Sequence, residues 1–280
     1  MATINTGNKN RYDKLFNDLT ERNEVAFIPF ITLGFPNKDQ CLKLIRQMVK
    51  AGADALELGF PYSDPIADGP IIQKANIMAL NAGISRDDCF DILATIRAEF
   101  PNLPIGLLLY ANLVYGTGLD ETYERAKNVG VDSILIADAP LREISTFKDA
   151  ATRHTIQQVL ILPPDANHEK RQAIANLSEG YLYLLSRSGI TGTETRAGIP
   201  TRDLIKELTT LNSAPLVLGF GIKTPTDVAA ARSAGVAGVI SGSAVIEQIL
   251  LQLEKGNDIN VSKFIQAMKR AAKRPNRMAR

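Results

Sequence analysis

Eight short apolar runs, separated by amphipathic segments from one end of the chain to the other, constrain the fold more than any other feature. They fall at 25–33, 54–59, 104–110, 131–137, 156–162, 180–185, 214–220 and 236–241. Most are apolar throughout rather than alternating, as expected of strands covered on both faces of a parallel sheet. Between them, apolar residues at helical spacing predict helices over 38–50, 71–82, 86–99, 119–129, 142–153, 168–177, 201–210 and 225–234. Another helix near 9–22 precedes the first run, and two more, at 243–254 and 258–272, follow the last. The segments AGADALELG (51–59), VGVDSILIA (129–137) and AGVAGVISG (234–242) overlay on one another. Each carries a Gly suited to ending a helix, followed at once by an apolar strand. Eight such units predict an α/β chain folded as a (β/α)8 barrel, with an extra N-terminal helix and extra helices after strand 8. Residues 1–280 are expected to form that single domain. An open doubly wound sheet would call for G-x-G-x-x-G after the first strand, and the sequence there is ITLGFP.

At 280 residues and 45% hydrophobic, the chain can bury a large core. Its net charge of +2 gives no general attraction to nucleic acid. The basic residues that do cluster lie in KRAAKRPNRMAR (269–280), which reads as a helix end and a solvated tail. Cys41 and Cys89 stand alone, without metal or redox spacing. No apolar run approaches the ~18 residues of a membrane span. The N-terminus lacks an apolar signal core. The expectation is a cytoplasmic protein with no membrane or nucleic-acid partner.

In such a barrel the chemistry sits at the C-terminal ends of the strands. The second strand and its loop read LELGFPYSDPIADG (56–69), which places Glu57 inside an apolar run and Asp68 a short loop later. A carboxylate is expensive in an apolar interior unless paired, protonated or used, so this pair is the leading catalytic candidate. In the overlay, Glu57 falls where sister units carry Leu135 and Ile240. Glycine-rich turns after strands 7 and 8, GFGIKTP and SGSA, each precede a helix. Backbone N–H groups there suit a phosphate. The segment RSGITGTETRAGIP (187–200) has the length and composition of a lid. No strand holds a Lys for a Schiff base, and His154 and His168 do not cluster as metal ligands. The residues alone therefore lead to proton transfer on a phosphorylated metabolite, with the substrate left open.

LELGFPYSDPIADG closely resembles the signature of the tryptophan synthase alpha chain family. FIPFITLGFP, GLLLYANLVYGTG, YLLSRSGITGTE, GFGIKTP and ISGSA also resemble its motifs, in order, over residues 11–254. The resemblance implies cleavage of indole-3-glycerol phosphate to indole and glyceraldehyde 3-phosphate. It also implies a beta-chain partner in an alpha2-beta2 tetramer, to which indole passes. No cofactor is expected in this chain, since the pyridoxal phosphate would belong to the partner. By the same resemblance Glu57 and Asp68 are catalytic, and Tyr183 supports the proton transfers. Phe30, Leu108, Leu135, Phe220 and Ile240 would enclose the indole ring. Gly192, Gly221, Gly242 and Ser243 would hold the phosphate, and Thr191 would reach the loop bearing Asp68. The loop holding Asp64 would face the beta chain. Phe35 stands where the family commonly has aspartate. A related phosphosugar isomerase or lyase, and a non-catalytic activating subunit, are the competing functions.

Overall fold

The protein is seen here as a computed structural model, which describes residues 10–185, 202–256 and 258–273. Eight parallel strands pair in sequence order, and the eighth pairs back on the first to close the barrel. They are β1 (Ala26–Thr32), β2 (Leu56–Gly59), β3 (Ile105–Leu109), β4 (Ser133–Ile136), β5 (Gln157–Leu162), β6 (Leu182–Leu184), β7 (Leu216–Leu218) and β8 (Gly238–Ser241). Every one lies inside a run anticipated from the sequence. Their residues are almost all buried, since helices cover the outside and side chains fill the inside.

The helices are α1 (Arg11–Glu21), α2 (Lys38–Lys50), α3 (Pro70–Asn81), α4 (Arg86–Glu99), α5 (Ala111–Tyr115) and α6 (Leu119–Asn128). There follow α7 (Ile144–Arg153), α8 (His168–Leu177), α9 (Arg202–Thr210), α10 (Pro225–Ala234), α11 (Ser243–Glu254) and α12 (Ser262–Ala272). Two differ from expectation. The five-residue α5 is a single turn, too short to carry a periodic signal. The last helix starts at Ser262 rather than at 258 because side chains claim the backbone before it. Gln47 bonds both Ile259 O and Val261 N, and Gln252 bonds both Asn260 N and Asn260 O.

The sequence repeat has a physical counterpart at the N-terminal mouth of the barrel. Gly52, Gly130 and Gly235 all turn the chain at positive φ. Asp54 then accepts a hydrogen bond from Phe27 N, and Asp132 accepts the equivalent bond from Ile105 N, each at 2.8 Å. Each aspartate thereby stitches one strand to its neighbour. Helix α1 closes this mouth. Tyr12, Phe16 and Leu19 are buried under the barrel, and Arg11 pairs with Asp132 at 2.7 Å.

Helix α12 locks the opposite end of the chain to the same mouth. Lys269 is 9% exposed and reaches both oxygens of Asp54 at 2.8 Å and Glu24 at 3.4 Å. Removing one partner of a buried pair leaves the other charge uncompensated. Lys269→Met is therefore expected to lower stability by about 3 kcal/mol. A reduced urea midpoint with an unchanged m-value would report it.

Candidate active site

Glu57 stands on β2 between Phe30 of β1 and Gly106 of β3. Gly106 matters because it has no side chain. A Cβ there would lie 2.9 Å from both Ser133 Oγ and Tyr12 Oη, so the strand leaves room for a layer of hydroxyls beneath the acid. From that layer Tyr181 donates its phenolic hydrogen to Glu57 Oε1 at 3.0 Å. Glu57 is 2% exposed. Burial pushes its carboxyl up to about 8, opposed by the Tyr181 hydrogen bond and reinforced by the charge of Asp68. A carboxyl so placed both gives and takes a proton near neutral pH.

Asp68 ends the β2 loop, immediately before Gly69 and the start of α3. Its backbone N–H closes a turn onto Pro65 O at 3.0 Å, and its carbonyl accepts from Gln73 Nε2 at 2.8 Å. The carboxylate accepts from Asn76 Nδ2 at 3.3 Å and from the Tyr110 hydroxyl. Tyr110 in turn accepts a hydrogen bond from Ala67 N at 3.2 Å and stacks on Tyr62 at 5.1 Å. Burial raises Asp68 to about 6, against the pull of its two donors. Two acids of one chemical type thus acquire different working ranges, and Asp68 ionises first.

Both acids line one chamber of about 60 Å³, together with Phe30, Leu108, Tyr183, Phe220 and Ile240. Asp68, Leu108, Tyr183 and Phe220 also form the wall of an adjoining, larger chamber of about 310 Å³. Leu135 is buried and pairs in register with Leu108, but it borders neither space. Ile72 and Ile222 join the apolar lining; nothing in their local sequence marks them.

The far side of the small chamber is backbone. Gly219, Gly221, Gly242 and Ser243 border it, with Lys223 close by. Gly221 turns at φ +78°, and a well-capped helix follows, where Thr224 and Asp227 bond each other reciprocally at the start of α10. Gly242 is the N-cap of α11. The first N–H groups of a helix have no partner within it, and the helix dipole favours an anion at that end. The strand-end glycines expected to bind phosphate are therefore brought together with the two acids. Thr191 and Gly192 lie outside the described residues, as does the rest of the 187–200 segment. The histidines are remote from the site. His154 meets Asp120 at 3.1 Å and His168 meets Glu207 at 2.9 Å, both on the outer helices.

The sequence profile of the tryptophan synthase alpha chain matches residues 16–274. The chain belongs to that family. The tryptophan synthase alpha chain of Francisella tularensis subsp. tularensis (strain WY96-3418) is 51% identical over 264 residues, covering 94% of this chain and 98% of the relative. That of Salmonella newport (strain SL254) is 48% identical over 265 residues, covering 94% and 99%. A crystal structure of tryptophan synthase subunit alpha from Legionella pneumophila str. Paris superposes with a TM-score of 0.83 at 29% identity, covering 94% and 98%. Mycobacterium tuberculosis tryptophan synthase, at 22% identity, shares the fold with a TM-score of 0.85, covering 96% and 100%. The reaction is that of the family: indole-3-glycerol phosphate is cleaved to indole and glyceraldehyde 3-phosphate, a carbon–carbon lyase step of tryptophan biosynthesis. The competing isomerase and activator functions fall away.

Gly219 offers a direct test of how tightly this site is built. Tyr183 donates its hydroxyl to Gly219 O at 2.6 Å, and a Cβ at 219 would lie 1.8 Å from the Tyr183 ring. Gly219→Ala must push that ring into the chamber. A drop of about tenfold or more in kcat/KM is expected, with circular dichroism unchanged.

Proposed function

We propose that Glu57 carries both proton transfers of the cleavage and that Asp68 holds the indole nitrogen. The observation that carries this reading is a buried, proton-retaining Glu57 in the same chamber as an acid that ionises more readily. Protonated Glu57 gives its proton to C3 of the indole. The ring nitrogen then bears the positive charge, and the ionised Asp68 carboxylate stabilises it through the N–H. Glu57, now a carboxylate, removes the proton from the hydroxyl on the adjoining glycerol carbon. The O–H electrons form the aldehyde carbonyl, the carbon–carbon bond breaks, and its electrons return to the ring. Indole leaves, and Glu57 has recovered its proton.

Phe30, Leu108, Phe220 and Ile240, which line the chamber, enclose the ring in this proposal, and Tyr183 supports the transfers; Leu135, which does not border it, acts at most through its strand neighbour Leu108. Gly221, Gly242 and Ser243 take the phosphate through backbone N–H groups, joined by Gly192. Thr191, outside the described residues, is proposed to contact the loop bearing Asp68. The face around that loop is proposed to dock a beta chain in an alpha2-beta2 tetramer and to hand indole to it. Exposed apolar side chains support that surface, with Ile66 at 72% and Tyr115 at 50%. The same loop carries Asp68, so docking and catalysis share one segment. Pyridoxal phosphate belongs to the partner. Residues 1–280 are taken as one barrel domain working in the cytoplasm. The buried free thiols of Cys41 and Cys89 agree with that compartment, and no helix among the described residues is long and apolar enough to cross a membrane.

The deciding experiment measures free indole from indole-3-glycerol phosphate, with and without a beta chain. Glu57→Gln keeps the shape and removes the exchangeable proton. It is expected to reduce kcat by about 10³-fold or more while folding and beta-chain binding persist. Surviving turnover would refute the proton-transfer role.

The pH profile follows from the two acids. Asp68 must be ionised, so kcat/KM rises as pH passes about 6. Glu57 must begin protonated, so kcat/KM falls as pH passes about 8. The expected profile is a bell between those limits, and Glu57→Gln loses the alkaline limb in its residual activity.

A further inference from the structure

Asn76 lies on α3 beside the buried Ile72, Ala75 and Ala79, with 3% of its own surface exposed. An amide in such a place is costly unless its polar atoms are bonded. Both ends of this one are used. Thr32, the last residue of β1 and fully buried, donates its hydroxyl to Asn76 Oδ1 at 3.1 Å. The amide nitrogen then faces Asp68 Oδ2 at 3.3 Å. The chemistry dictates that orientation. An ionised carboxylate only accepts, so the NH2 must face it, and the carbonyl must then find a donor elsewhere. Thr32 is that donor. The three side chains come from β1, α3 and the β2 loop, so the relay spans the rim of the barrel to one oxygen of the catalytic carboxylate.

We propose that Thr32 and Asn76 are positioning residues for the cleavage: Thr32 orients the Asn76 amide, and Asn76 aims the Asp68 carboxylate at the indole nitrogen. The inference rests on the role given to Asp68 above and extends it to two residues that do not border the chamber. Neither residue carries a charge, and each acts only through the next. The titratable groups facing Asp68 are Glu57 of β2, Tyr110 at the end of β3 and Tyr183 of β6. Lys223, after β7, and Lys170, of α8, border the chambers that Asp68 lines. None of these is altered when the relay is cut. Loss of the Asn76 N–H leaves burial opposed by the Tyr110 hydroxyl alone. The carboxylate then takes up its proton at higher pH.

The test measures kcat/KM for indole release across pH 5 to 9 in the full chain with a beta chain. For Asn76→Leu we expect a loss of about 10- to 100-fold and an acid limb moved up by about one pH unit. Thr32→Val should move both in the same direction by less, and Thr32→Ser should recover most of what Thr32→Val loses. Asp68→Asn combined with Asn76→Leu should be no worse than Asp68→Asn alone, because the relay acts through that carboxylate. A purely structural Asn76 would lower the melting temperature and leave the acid limb in place. An unmoved acid limb in Asn76→Leu and Thr32→Val, or a fully additive double variant, would overturn the relay while Asp68 kept its role. Full turnover by Asp68→Asn alone would overturn the Asp68 assignment and the relay with it. Should Asn76→Leu fail to fold, Thr32→Val, which changes one hydroxyl to a methyl group, carries the same decision.

Discussion

The burial of Glu57 governs the site. A carboxyl group in solution loses its proton near pH 4 and is then useless as an acid at neutrality. Inside the barrel, burial raises that threshold to about 8, and one hydrogen bond from Tyr181 keeps the group from rising further. The surroundings are arranged to the same end. Gly106 leaves room for hydroxyls, Phe30 and Leu108 line the chamber with apolar surface, and its glycine-rich side is mostly backbone, with Lys223 also bordering it. A lysine beside Glu57 would reverse the effect, because a nearby positive charge favours the ionised form.

Asp68 shows how a second carboxyl group is given different surroundings. It is 9% exposed, so burial acts on it as well, but two donors from separate elements offset part of the cost. The difference between the acids therefore lies in hydrogen-bond count rather than in depth alone. That is why the loop bearing Asp68 is fastened at so many points, through Pro65, Ala67, Gln73 and Asn76. In the proposed cleavage, a carboxylate so steadied stays ionised for the cation that forms on the indole during the reaction.

The strands were legible because each is an apolar run bounded by turn residues, and the barrel because the runs number eight. Glu57 was legible for the opposite reason: it breaks the pattern of its own strand. The glycines after β7 and β8 could be read in pairs, as could the acid that follows a Pro-rich loop. Tyr181 could not. It is 124 residues from Glu57, and only barrel closure brings the hydroxyl to the carboxyl. Asn76 was hidden in a different way, since one amide on an apolar helix face looks like any tolerated polar residue. The late start of α12 was likewise invisible, because it depends on Gln47, more than two hundred residues earlier. Local pattern gives the elements; long-range hydrogen bonds between them have no local signature.

The lock formed by Lys269, Asp54 and Glu24 has a consequence for how the chain is made. Alongside it, Val25 N donates to Ala272 O at 3.1 Å, and β1 takes β8 as one of its two neighbours. A ribosome delivers β1 more than two hundred residues before these partners. Until β8 is made the first strand has one bare edge, and until α12 is made the aspartate beneath it has no cation. Bare strand edges invite pairing with other chains, and contacts this distant along the sequence slow folding. The nascent protein is therefore most prone to associate wrongly before β8 emerges. Without α12 the barrel could still close through β1 and β8, but Asp54 and Glu24 would be left without their cation.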